Sequence, residues 1–324
     1  MDKTVIAMDI GGTIGKVAII KLNCKRFKLL AKLEINTAFN KSVLLKVVIS
    51  NIKRLSSGAK NSKEKIIGIG IGLPGQIDAP GGIVKNLTNI AGWKNVHLKK
   101  IIEAETKLPT FIDNDVNCMC LGEYFYGAGR NTKDMVAITL GTGVGGGIII
   151  GGKLYRGATQ TAGEIGHVCL DMNGPRCNCG GYGCLERYVG NRYIVEEAVR
   201  RLKKKGVDSS LKNKLDGNYT KLTPELLSQA ADEQDAFSIK LWKDIGRYIG
   251  VVLAGMVNVI NPEKIVIGGG VAQAGAILFS AIEEQIKKRA LAIPAGQVKV
   301  IPAKLGRDAG VIGAAVMAYN AVSL

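Results

Sequence analysis

Residues 162–186, AGEIGHVCLDMNGPRCNCGGYGCLE, form the most informative stretch of this sequence. A histidine and three cysteines within it have the spacing His167-x9-Cys177-x-Cys179-x4-Cys184. One imidazole and three thiolates make up a set of four ligands that suits tetrahedral Zn²⁺. All four would fill the coordination shell, so no position stays open for water and the metal is expected to be structural. The stretch therefore predicts an inserted zinc-binding loop.

Two glutamates flank the proposed ligands: Glu164 lies three residues before the histidine, and Glu186 lies two residues after the last cysteine. The alternative interpretation of the cysteines is a set of buried free thiols beside a core histidine. Glycines at Gly180, Gly181 and Gly183 favour the metal, because they permit the tight turns that four close ligands need. A metal loop would hold both carboxylates at defined positions and therefore predicts a binding site beside the loop.

Length and composition are typical of a two-domain globular protein. The 324 residues exceed the roughly 100–200 expected for one domain, and 47% of them are hydrophobic. No stretch approaches the roughly 20 apolar residues that cross a membrane, and the first residues lack the pattern of a signal peptide. Seven cysteines, three of them tightly clustered, suit metal binding in a reducing compartment. We therefore expect a cytoplasmic protein without a membrane partner, in which Cys24, Cys118, Cys120 and Cys169 are small core residues.

The net charge of +17 has two interpretations. It is typical of proteins that bind nucleic acid, and it also arises from solvated, lysine-rich helix faces. The basic residues are dispersed, apart from the run RRLKKK at 200–205, where a predicted helix ends. Aromatic residues make up only 5% of the chain and do not alternate with the basic ones. We therefore expect no nucleic-acid partner.

The apolar periodicity predicts two halves that share a strand–glycine turn–strand opening. In the first half it predicts strands at 4–10, 17–22, 27–35, 65–71 and 110–113 and helices at 42–55, 96–107 and 114–126. In the second half it predicts strands at 134–140, 147–150, 264–267 and 298–301 and helices at 191–204, 222–231, 236–260, 276–289 and 309–318. The polar span 206–221 is expected to be a surface loop. The predicted fold class is α/β, with one domain formed by residues 1–113 plus 310–324 and the other by residues 114–309.

A glycine–threonine turn follows the first predicted strand of the first half, with the sequence Asp9-Ile10-Gly11-Gly12-Thr13. It precedes a strand, whereas a Rossmann fingerprint opens a helix, and the chain has no P-loop pattern. Backbone N–H groups of such a turn can still bind phosphate. Thr13 adds a hydroxyl donor, and Asp9 suits Mg²⁺, bound directly or through water.

A second turn of the same kind lies in the stretch LGTGVGGG at 140–147, with Gly141, Thr142 and Gly143 in the corresponding places. Glycine is common in ordinary hairpin turns, so either turn alone carries little information. The same residue types at the start of both halves predict a nucleoside triphosphate held between the two domains.

The tripeptide Asp113-Asn114-Asp115 closes a predicted strand and opens a predicted helix. The carboxyl end of a strand in an α/β sheet is a favoured place for a site. Helix capping explains one polar residue there, but not three. Phosphoryl transfer needs little from side chains beyond positioning and charge neutralisation. Asp115 is therefore the candidate that accepts the proton of a substrate hydroxyl as it attacks a γ-phosphate.

Together these motifs resemble the ROK family of sugar kinases and related repressors, along nearly the whole chain. The motifs are DIGGT at 9–13, GLPG at 72–75, ND at 114–115, TGVGGG at 142–147, GEIGH at 163–167 and CNCGGYGCLE at 177–186. The cysteine–glycine block is the most specific of them. The resemblance implies an actin-like, hexokinase-like fold of the ribonuclease H type, with two domains around a cleft that closes on sugar and ATP.

The resemblance assigns roles to individual residues. Asp115 corresponds to the general base, and the zinc ligands correspond to His167, Cys177, Cys179 and Cys184. The residues that correspond to sugar contacts are Asn114, Asp115, Glu164, His167 and Glu186, with Gly75 and Asn89 as further loop positions. The positions expected to contact ATP or Mg²⁺ are Asp9, Gly11, Gly12, Thr13, Gly141, Thr142, Gly143, Gly269 and Gly270. A zinc-bound histidine can donate through its other ring nitrogen, so the metal is expected to orient His167 towards the sugar.

Some features depart from the family pattern. Many members have lysine directly after the first Gly-Gly-Thr, where this chain has Ile14 and places Lys16 two residues further on. This departure counts against a phosphate contact by lysine in the turn. Because the first predicted strand starts at residue 4, we expect the helix-turn-helix of the repressor branch to be missing. Family members often form dimers or tetramers, so we expect a homo-oligomer.

The main hypothesis is an ATP-dependent hexose kinase that phosphorylates the 6-hydroxyl of glucose. N-acetylmannosamine, N-acetylglucosamine and fructose kinases of the family share the core motifs, because loop shape around the second carbon selects the sugar. A non-enzymatic sugar-sensing regulator is the alternative of another class, although Asp115 and both turns are present. A zinc-stabilised interaction module without a small-molecule substrate leaves the same features unexplained.

Overall fold

The computed structural model describes residues 2–61, 64–87 and 92–323. They form two compact units, each with its own hydrophobic core. The first unit consists of Met1–Lys133, Gly147–Gly163 and Ala303–Leu324, and the second of Asp134–Gly146 and Glu164–Pro302. The predicted α/β class is confirmed, because strands and helices alternate in both units.

Most of the predicted elements are present, with shifted ends. Within the described residues the strands are β1 (Lys3–Ile10), β2 (Ile14–Leu22), β3 (Phe27–Asn36), β4 (Ile66–Leu73), β5 (Gln76–Asp78), β6 (Ile83–Asn86), β7 (Lys94–Val96), β8 (Thr110–Asn114), β9 (Met135–Leu140), β10 (Val144–Ile150), β11 (Lys153–Tyr155), β12 (Lys264–Gly268) and β13 (Lys299–Pro302). The helices are α1 (Lys41–Asn61), α2 (Leu98–Thr106), α3 (Asp115–Tyr126), α4 (Glu186–Val189), α5 (Asn191–Leu202), α6 (Ser210–Leu215), α7 (Pro224–Asp232), α8 (Ala236–Ile260), α9 (Ala276–Arg289), α10 (Ala292–Gln297) and α11 (Ala309–Ala321).

The first unit is built on a sheet with the strand order β3-β2-β1-β4-β8. β1, β2 and β3 form an antiparallel meander, whereas β4 and β8 run parallel to β1. β1 and β4 are nearly continuous apolar runs because they are buried on both faces, which is typical of parallel strands. In the register of the sheet Asp9 pairs with Gly72, and Gly72 pairs with Asp113. Asp9, Gly72 and Asp113 therefore lie side by side near the ends of the neighbouring strands β1, β4 and β8.

Helices α3 and α11 pack closely in the first unit through small residues. A Cβ atom added to Gly313 would lie 1.5 Å from the carbonyl oxygen of Cys118, and one added to Gly122 would lie 2.4 Å from that of Ala309. This packing keeps all of α3 with the first unit. The limits of the compact units therefore differ from the domain limits predicted after residues 113 and 309.

The second unit contains strands of a sheet with the order β11-β10-β9-β12-β13, in which β9, β12 and β13 are parallel. The boundary of the unit crosses β10, whose residues from Gly147 onward belong to the first unit. Helix α8 fills the core with Trp242, Ile245, Ile249 and Leu253, all at most 1% exposed. Among the described residues, no helix has both the length and the apolar character that a membrane crossing requires.

Several features differ from the sequence prediction. The span 206–221 is not a plain surface loop: it holds α6 and a 3-10 turn at Tyr219–Lys221, because Leu211 and Leu215 are buried in the core. The short sheet β5-β6-β7 and helix α10 were not predicted, since elements of three to six residues show little periodicity. Cys118 and Cys120 are buried as expected. Cys24 and Cys169 are exposed, so their prediction as core residues is wrong.

Candidate active site

The predicted catalytic tripeptide lies where β8 ends and α3 begins. Asn114 is the N-cap of α3, and its side-chain oxygen accepts hydrogen bonds from the backbone N–H groups of Val116 at 2.9 Å and Asn117 at 3.3 Å. Its side-chain amide donates to the carbonyl oxygen of Gly75 at 3.1 Å. Two predicted substrate residues, Asn114 and Gly75, are therefore in direct contact. Asp115 occupies the first turn of the helix, where the helix dipole favours a negative charge.

Asp113 forms the buried base of this turn and is only 1% exposed. One of its carboxylate oxygens accepts hydrogen bonds from Nε and Nη2 of Arg156, at 2.8 and 2.6 Å. The other oxygen accepts from the backbone N–H of Asn114 at 2.7 Å and from the side-chain amide of Asn117 at 2.9 Å. These four hydrogen bonds and the cation compensate the buried charge. Asp113 thereby holds the start of α3 in place.

Arg156 was not among the predicted site residues. It follows β11 and is 43 positions away from Asp113 in the chain, so no local pattern connects the two. The signal that points to it is Asp113 itself. An aspartate at the end of an apolar strand needs a cation when it is buried, because an unpaired charge in the interior is strongly unfavourable.

Asp9 lies near the end of β1, close enough to Asp115 for the charges of the two carboxylates to interact. The first turn of α11 leaves room for its carboxylate, since a Cβ atom added to Gly310 would lie 2.4 Å from Asp9 Oδ2. Burial, and secondarily the negative charge of Asp115, raise the pKa of the Asp9 carboxyl to about 6. Two carboxylates that oppose each other's ionisation form an arrangement that a divalent cation would stabilise. The residues therefore fit the predicted Mg²⁺.

The first glycine turn connects β1 to β2 and is supported by Thr37. The Thr37 hydroxyl donates to the carbonyl oxygen of Gly11 at 2.6 Å, and its backbone N–H donates to that of Thr13 at 2.9 Å. Lys16 is engaged elsewhere, since its ammonium group lies 3.4 Å from the carboxylate of Asp308. Phosphate binding at this turn would therefore depend on backbone groups and the Thr13 hydroxyl, without a lysine.

The second glycine turn, which joins β9 to β10, is held by Glu186. Its Oε2 accepts a hydrogen bond from the backbone N–H of Val144 at 2.9 Å. Glycine at position 143 leaves room for this contact, because a Cβ atom added there would lie 2.7 Å from the same oxygen and displace it. The carbonyl oxygen of Gly141 accepts a further hydrogen bond from the backbone N–H of Asn191. The second unit thus connects a predicted sugar contact with a predicted phosphate turn.

The predicted site residues divide between the two units. The first unit holds Asp9, Gly11, Gly12, Thr13, Gly75, Asn114 and Asp115. The second unit holds Gly141, Thr142, Gly143, Glu164, His167, Glu186, Gly269, Gly270 and the three cysteines of the zinc set. Gly269 follows β12 and packs against the backbone of Leu140, at the start of the second turn. Asn89 lies outside the described residues.

The four predicted metal ligands converge in the second unit. The ligand atoms of His167, Cys177, Cys179 and Cys184 all lie within 4.8 Å of one another. The Sγ atoms of Cys179 and Cys184 are 3.6 Å apart, and Nδ1 of His167 is 3.8 Å from Sγ of Cys177. Tetrahedral zinc with Zn–S bonds of about 2.3 Å places its ligand atoms about 3.8 Å apart. The arrangement therefore fits zinc.

The two ring nitrogens of His167 face different groups. Nδ1 is directed at Cys177, whereas Nε2 lies 3.9 Å from Oε2 of Glu164. Burial raises the pKa of the Cys184 thiol to about 12, and a backbone hydrogen bond lowers the pKa of Cys179. Zinc binds thiolates, so metal binding would release the Cys184 proton and leave Nε2 of the histidine available to a ligand.

The fold and these sites define a protein of the hexokinase-like α/β class. The solved structure of a ROK family glucokinase from Streptomyces griseus, in complex with glucose and AMPPNP, matches 98% of this chain and 99% of its own. The TM-score of that match is 0.82 and the sequence identity is 30%. The profile of the ROK family matches residues 5–321. The chain therefore belongs to the ROK family, as its motifs predicted.

Two further relatives show the range of proteins to which the chain is similar. A glucokinase from Halalkalibacterium halodurans is 40% identical in an alignment of 321 positions that covers 96% of this chain and 94% of the relative. A xylose repressor from Caldicellulosiruptor bescii is 32% identical over 281 residues, which are 87% of this chain and 69% of the relative. Kinases and repressors are thus both among its relatives.

Proposed function

We propose that this chain is an ATP-dependent hexose kinase that transfers phosphate to the 6-hydroxyl of glucose. The observation that carries the proposal is the position of Asp115 in the first turn of α3, directly after a buried strand. Asn114 caps the same helix, and Asp113 is fixed by four hydrogen bonds. A general base acts efficiently only when it is held in a defined place, and this turn supplies that rigidity.

The relatives support the class of enzyme. The chain is a sugar phosphotransferase, as predicted, since two glucokinase relatives are similar over 94% and 95% of their own lengths. The AMPPNP bound to the Streptomyces griseus glucokinase supports ATP as the phosphoryl donor. We propose glucose as the preferred sugar. N-acetylmannosamine, N-acetylglucosamine and fructose are the alternative substrates.

In the proposed reaction, Asp115 accepts the proton of the sugar hydroxyl while the hydroxyl oxygen attacks the γ-phosphorus of ATP. Asp9 would hold Mg²⁺, directly or through water, and the cation would neutralise charge on the phosphates. The backbone N–H groups of both glycine turns, with Thr13 and Thr142, would bind phosphate oxygens. These groups bind and orient, so Asp115 is the one side chain that moves a proton.

The sugar is proposed to bind to Asn114, Glu164, His167 and Glu186. Nε2 of His167 lies beside the Glu164 carboxylate, so a donor and an acceptor stand next to each other and suit neighbouring sugar hydroxyls. Oε2 of Glu186 is occupied by Val144, which leaves Oε1 for the sugar. Zinc would act through His167 by fixing the orientation of its ring.

A screen of ADP release from Mg-ATP tests the substrate. Purified full-length protein is assayed with glucose, fructose, mannose, N-acetylglucosamine and N-acetylmannosamine. Glucose is expected to have the highest kcat/KM. A higher kcat/KM for an N-acetylhexosamine or for fructose would overturn glucose as the substrate, and turnover of none of the sugars would overturn the kinase itself.

A sugar-sensing regulator is the second candidate, favoured by the similarity to a xylose repressor. Binding to duplex DNA with and without each sugar separates the two candidates. We expect no binding, and sugar-dependent binding without ADP release would replace the kinase by the regulator.

The proposal further includes a cytoplasmic homo-oligomer, a dimer or a tetramer, without a nucleic-acid or membrane partner. The family resemblance supports the oligomer, and the free cysteines support a reducing compartment. Light scattering on the purified chain measures its mass directly, and the mass of a monomer would contradict this part.

A further inference from the structure

Cys169 is an exposed cysteine that does not belong to the four-residue zinc set. It lies two positions after His167 in the chain, in an irregular segment of the second unit. An isolated antiparallel bridge pairs it with Cys184, one of the four proposed zinc ligands. The structure thus places an accessible thiol directly opposite a buried metal ligand.

The hydrogen bonds around this bridge define its type. The backbone N–H of Leu170 donates to the carbonyl oxygen of Gly183 at 2.8 Å, and that of Leu185 donates to Val168 at 3.0 Å. These backbone hydrogen bonds lie on either side of the two cysteines. The cysteines form no backbone hydrogen bond with each other, so they are a non-hydrogen-bonded pair. In such pairs the Cα atoms are about 4.5 Å apart and the side chains lie on the same face.

This separation is compatible with a disulfide, for which Cα atoms lie about 4.4–6.8 Å apart. Both cysteines are free thiols, so the bond requires their side chains to turn towards each other, which the backbone separation of such a pair allows. The flanking hydrogen bonds hold the two segments together while the rotamers change. The bridge is therefore prepared for a cross-strand disulfide.

We propose that Cys169 and Cys184 form a reversible disulfide when the protein meets hydrogen peroxide, and that this bond removes Cys184 from the zinc set. Cys169 is the point of entry because it is exposed and carries no metal, whereas Cys184 is only 3% exposed. The metal loop is thus a modification site as well as a structural element.

The chemistry proceeds in two steps. Peroxide oxidises the sulfur of Cys169 to a sulfenic acid, its O–O bond breaks, and one water is released. The Cys184 sulfur then attacks the Cys169 sulfur, the S–S bond forms, and the S–O bond breaks. The leaving hydroxide takes a proton and becomes a second water. The step balances: each sulfur loses one electron, and these two electrons reduce one peroxide to two waters.

The disulfide would leave three zinc ligands, His167, Cys177 and Cys179. A structural zinc site requires four, so the metal would be released. Nδ1 of His167 would lose its partner and Nε2 its fixed direction beside Glu164. This consequence rests on the proposed zinc and sugar roles of these residues, whereas the disulfide itself does not.

A second pair competes for Cys184. The Sγ atoms of Cys179 and Cys184 are already 3.6 Å apart, and they are the natural disulfide partners once the metal is gone. While zinc is bound, both are ligands and only Cys169 remains free near the site. The order of events therefore distinguishes the two pairs: the Cys169–Cys184 bond precedes zinc loss, and the Cys179–Cys184 bond follows it.

Peptide mapping without reductant tests the proposal. The purified full-length chain is treated with hydrogen peroxide, its free thiols are alkylated, and the digest is analysed by mass spectrometry. The expected early product is a peptide pair joined through Cys169 and Cys184, which dithiothreitol separates. An early product joined through Cys179 and Cys184, or oxidation of Cys169 beyond the sulfenic acid without a disulfide, would overturn the proposal.

Zinc release, followed with a chromophoric chelator, provides the matched comparison. Cys169→Ser is expected to keep its zinc under peroxide for a time in which the wild-type protein loses it. Cys24→Ser removes an exposed cysteine of the first unit that is not a proposed zinc ligand, and it is expected to release zinc like the wild type. Equal release from Cys169→Ser and the wild type would overturn the proposal. If the purified protein contains no zinc but peroxide still forms the Cys169–Cys184 disulfide, the release of zinc is refuted and the disulfide is retained. This outcome does not depend on kinase activity.

Discussion

The two units hold their proposed functional groups by different means. In the first unit Asp113, Asn114 and Asp115 continue a buried strand into a helix, and backbone hydrogen bonds with one buried ion pair fix them. In the second unit Glu164 precedes and His167 ends a single 3-10 turn, Ile165–His167, which is too short to hold them by its own hydrogen bonds. There, the four converging side chains of the proposed zinc set would hold the turn in place.

The two sites are therefore expected to depend on different features of the protein. The first site forms whenever the sheet and α3 form, because its geometry is part of the secondary structure. With its proposed zinc, the second site would depend in addition on a metal, and hence on chelators and on the oxidation state of its thiols. We therefore expect changes in the first unit to affect turnover and stability, and loss of metal to affect sugar affinity.

The largest effect is expected for Asp115→Asn, which removes the proposed base while keeping the shape of the side chain. Turnover with Mg-ATP and sugar is expected to fall by about 10²–10⁴-fold, the usual contribution of a general base. Circular dichroism and the unfolding midpoint are expected to stay unchanged. Asp232→Asn, at the exposed end of α7, is the matched control and keeps full activity. Full activity in Asp115→Asn would contradict the assignment.

Arg156→Met breaks the buried ion pair below the catalytic turn. It is expected to lower the free energy of unfolding by about 3 kcal/mol, because Asp113 would keep a buried charge without a partner. This loss is at the low end of the range for broken buried ion pairs, because the Arg156 side chain is 28% exposed. Urea denaturation measures the change.

The control for Arg156→Met is Lys53→Met in the same unit. Its ammonium group lies 2.6 Å from the Glu105 carboxylate, but both side chains are about half exposed. The expected change in the free energy of unfolding is below about 1 kcal/mol. Similar losses in the two variants would show that the Arg156 pair has no special role.

Asp9→Asn is expected to increase stability in the absence of added Mg²⁺ and nucleotide. The pKa of the Asp9 carboxyl is raised in the folded protein to about 6 from 3.8, so its contribution to stability is present below pH 3.8 and is lost as the pH rises through 6. The variant escapes this loss and should exceed the wild type by about 2–3 kcal/mol above that range. Below pH 3.8 the two should converge.

Denaturation curves across this pH range measure the difference. Asp208→Asn, an exposed aspartate of the second unit, is expected to follow the wild type at every pH. A constant difference between Asp9→Asn and the wild type would mean that the Asp9 pKa is not raised.

Metal removal is expected to have the smallest of these effects. A thiol-free chelator should extract about one zinc per chain, the content of one four-ligand site. The sugar KM is then expected to rise about tenfold, the lower bound for losing the support of a metal-linked residue, with a smaller change in the KM for ATP. Restored zinc should restore the sugar KM. An unchanged sugar KM after full extraction would separate the metal from sugar binding.

The best predictions from sequence concern elements with strong local signals. Helices α8 and α9 have the predicted ends at 236–260 and 276–289, since both combine long apolar periodicity with clear boundaries. An N-cap within the tripeptide, at Asp113 or Asn114, was also predicted, and the cap is Asn114. The convergence of the four zinc ligands follows from their spacing in one short stretch.

Other features were out of reach because the residues involved are far apart in the chain. Arg156 pairs with Asp113 across 43 positions, and Glu186 reaches Val144 across 42. Cys169 was predicted as a core residue, but it is exposed and lies opposite Cys184 in an isolated bridge. Periodicity and capping act over one or two turns of chain, so they carry no information on such contacts.

The sequence alone determined the α/β class, the two glycine turns, the helix cap at the catalytic tripeptide and the zinc-ligand spacing, because each is a local pattern of a few residues. The tertiary structure decided which cation compensates Asp113, which turn Glu186 supports and which thiol faces the metal set. Those choices depend on how separate segments pack. The free energy of a buried charge or of a constrained thiol is set by its neighbours in space, not by its neighbours along the chain.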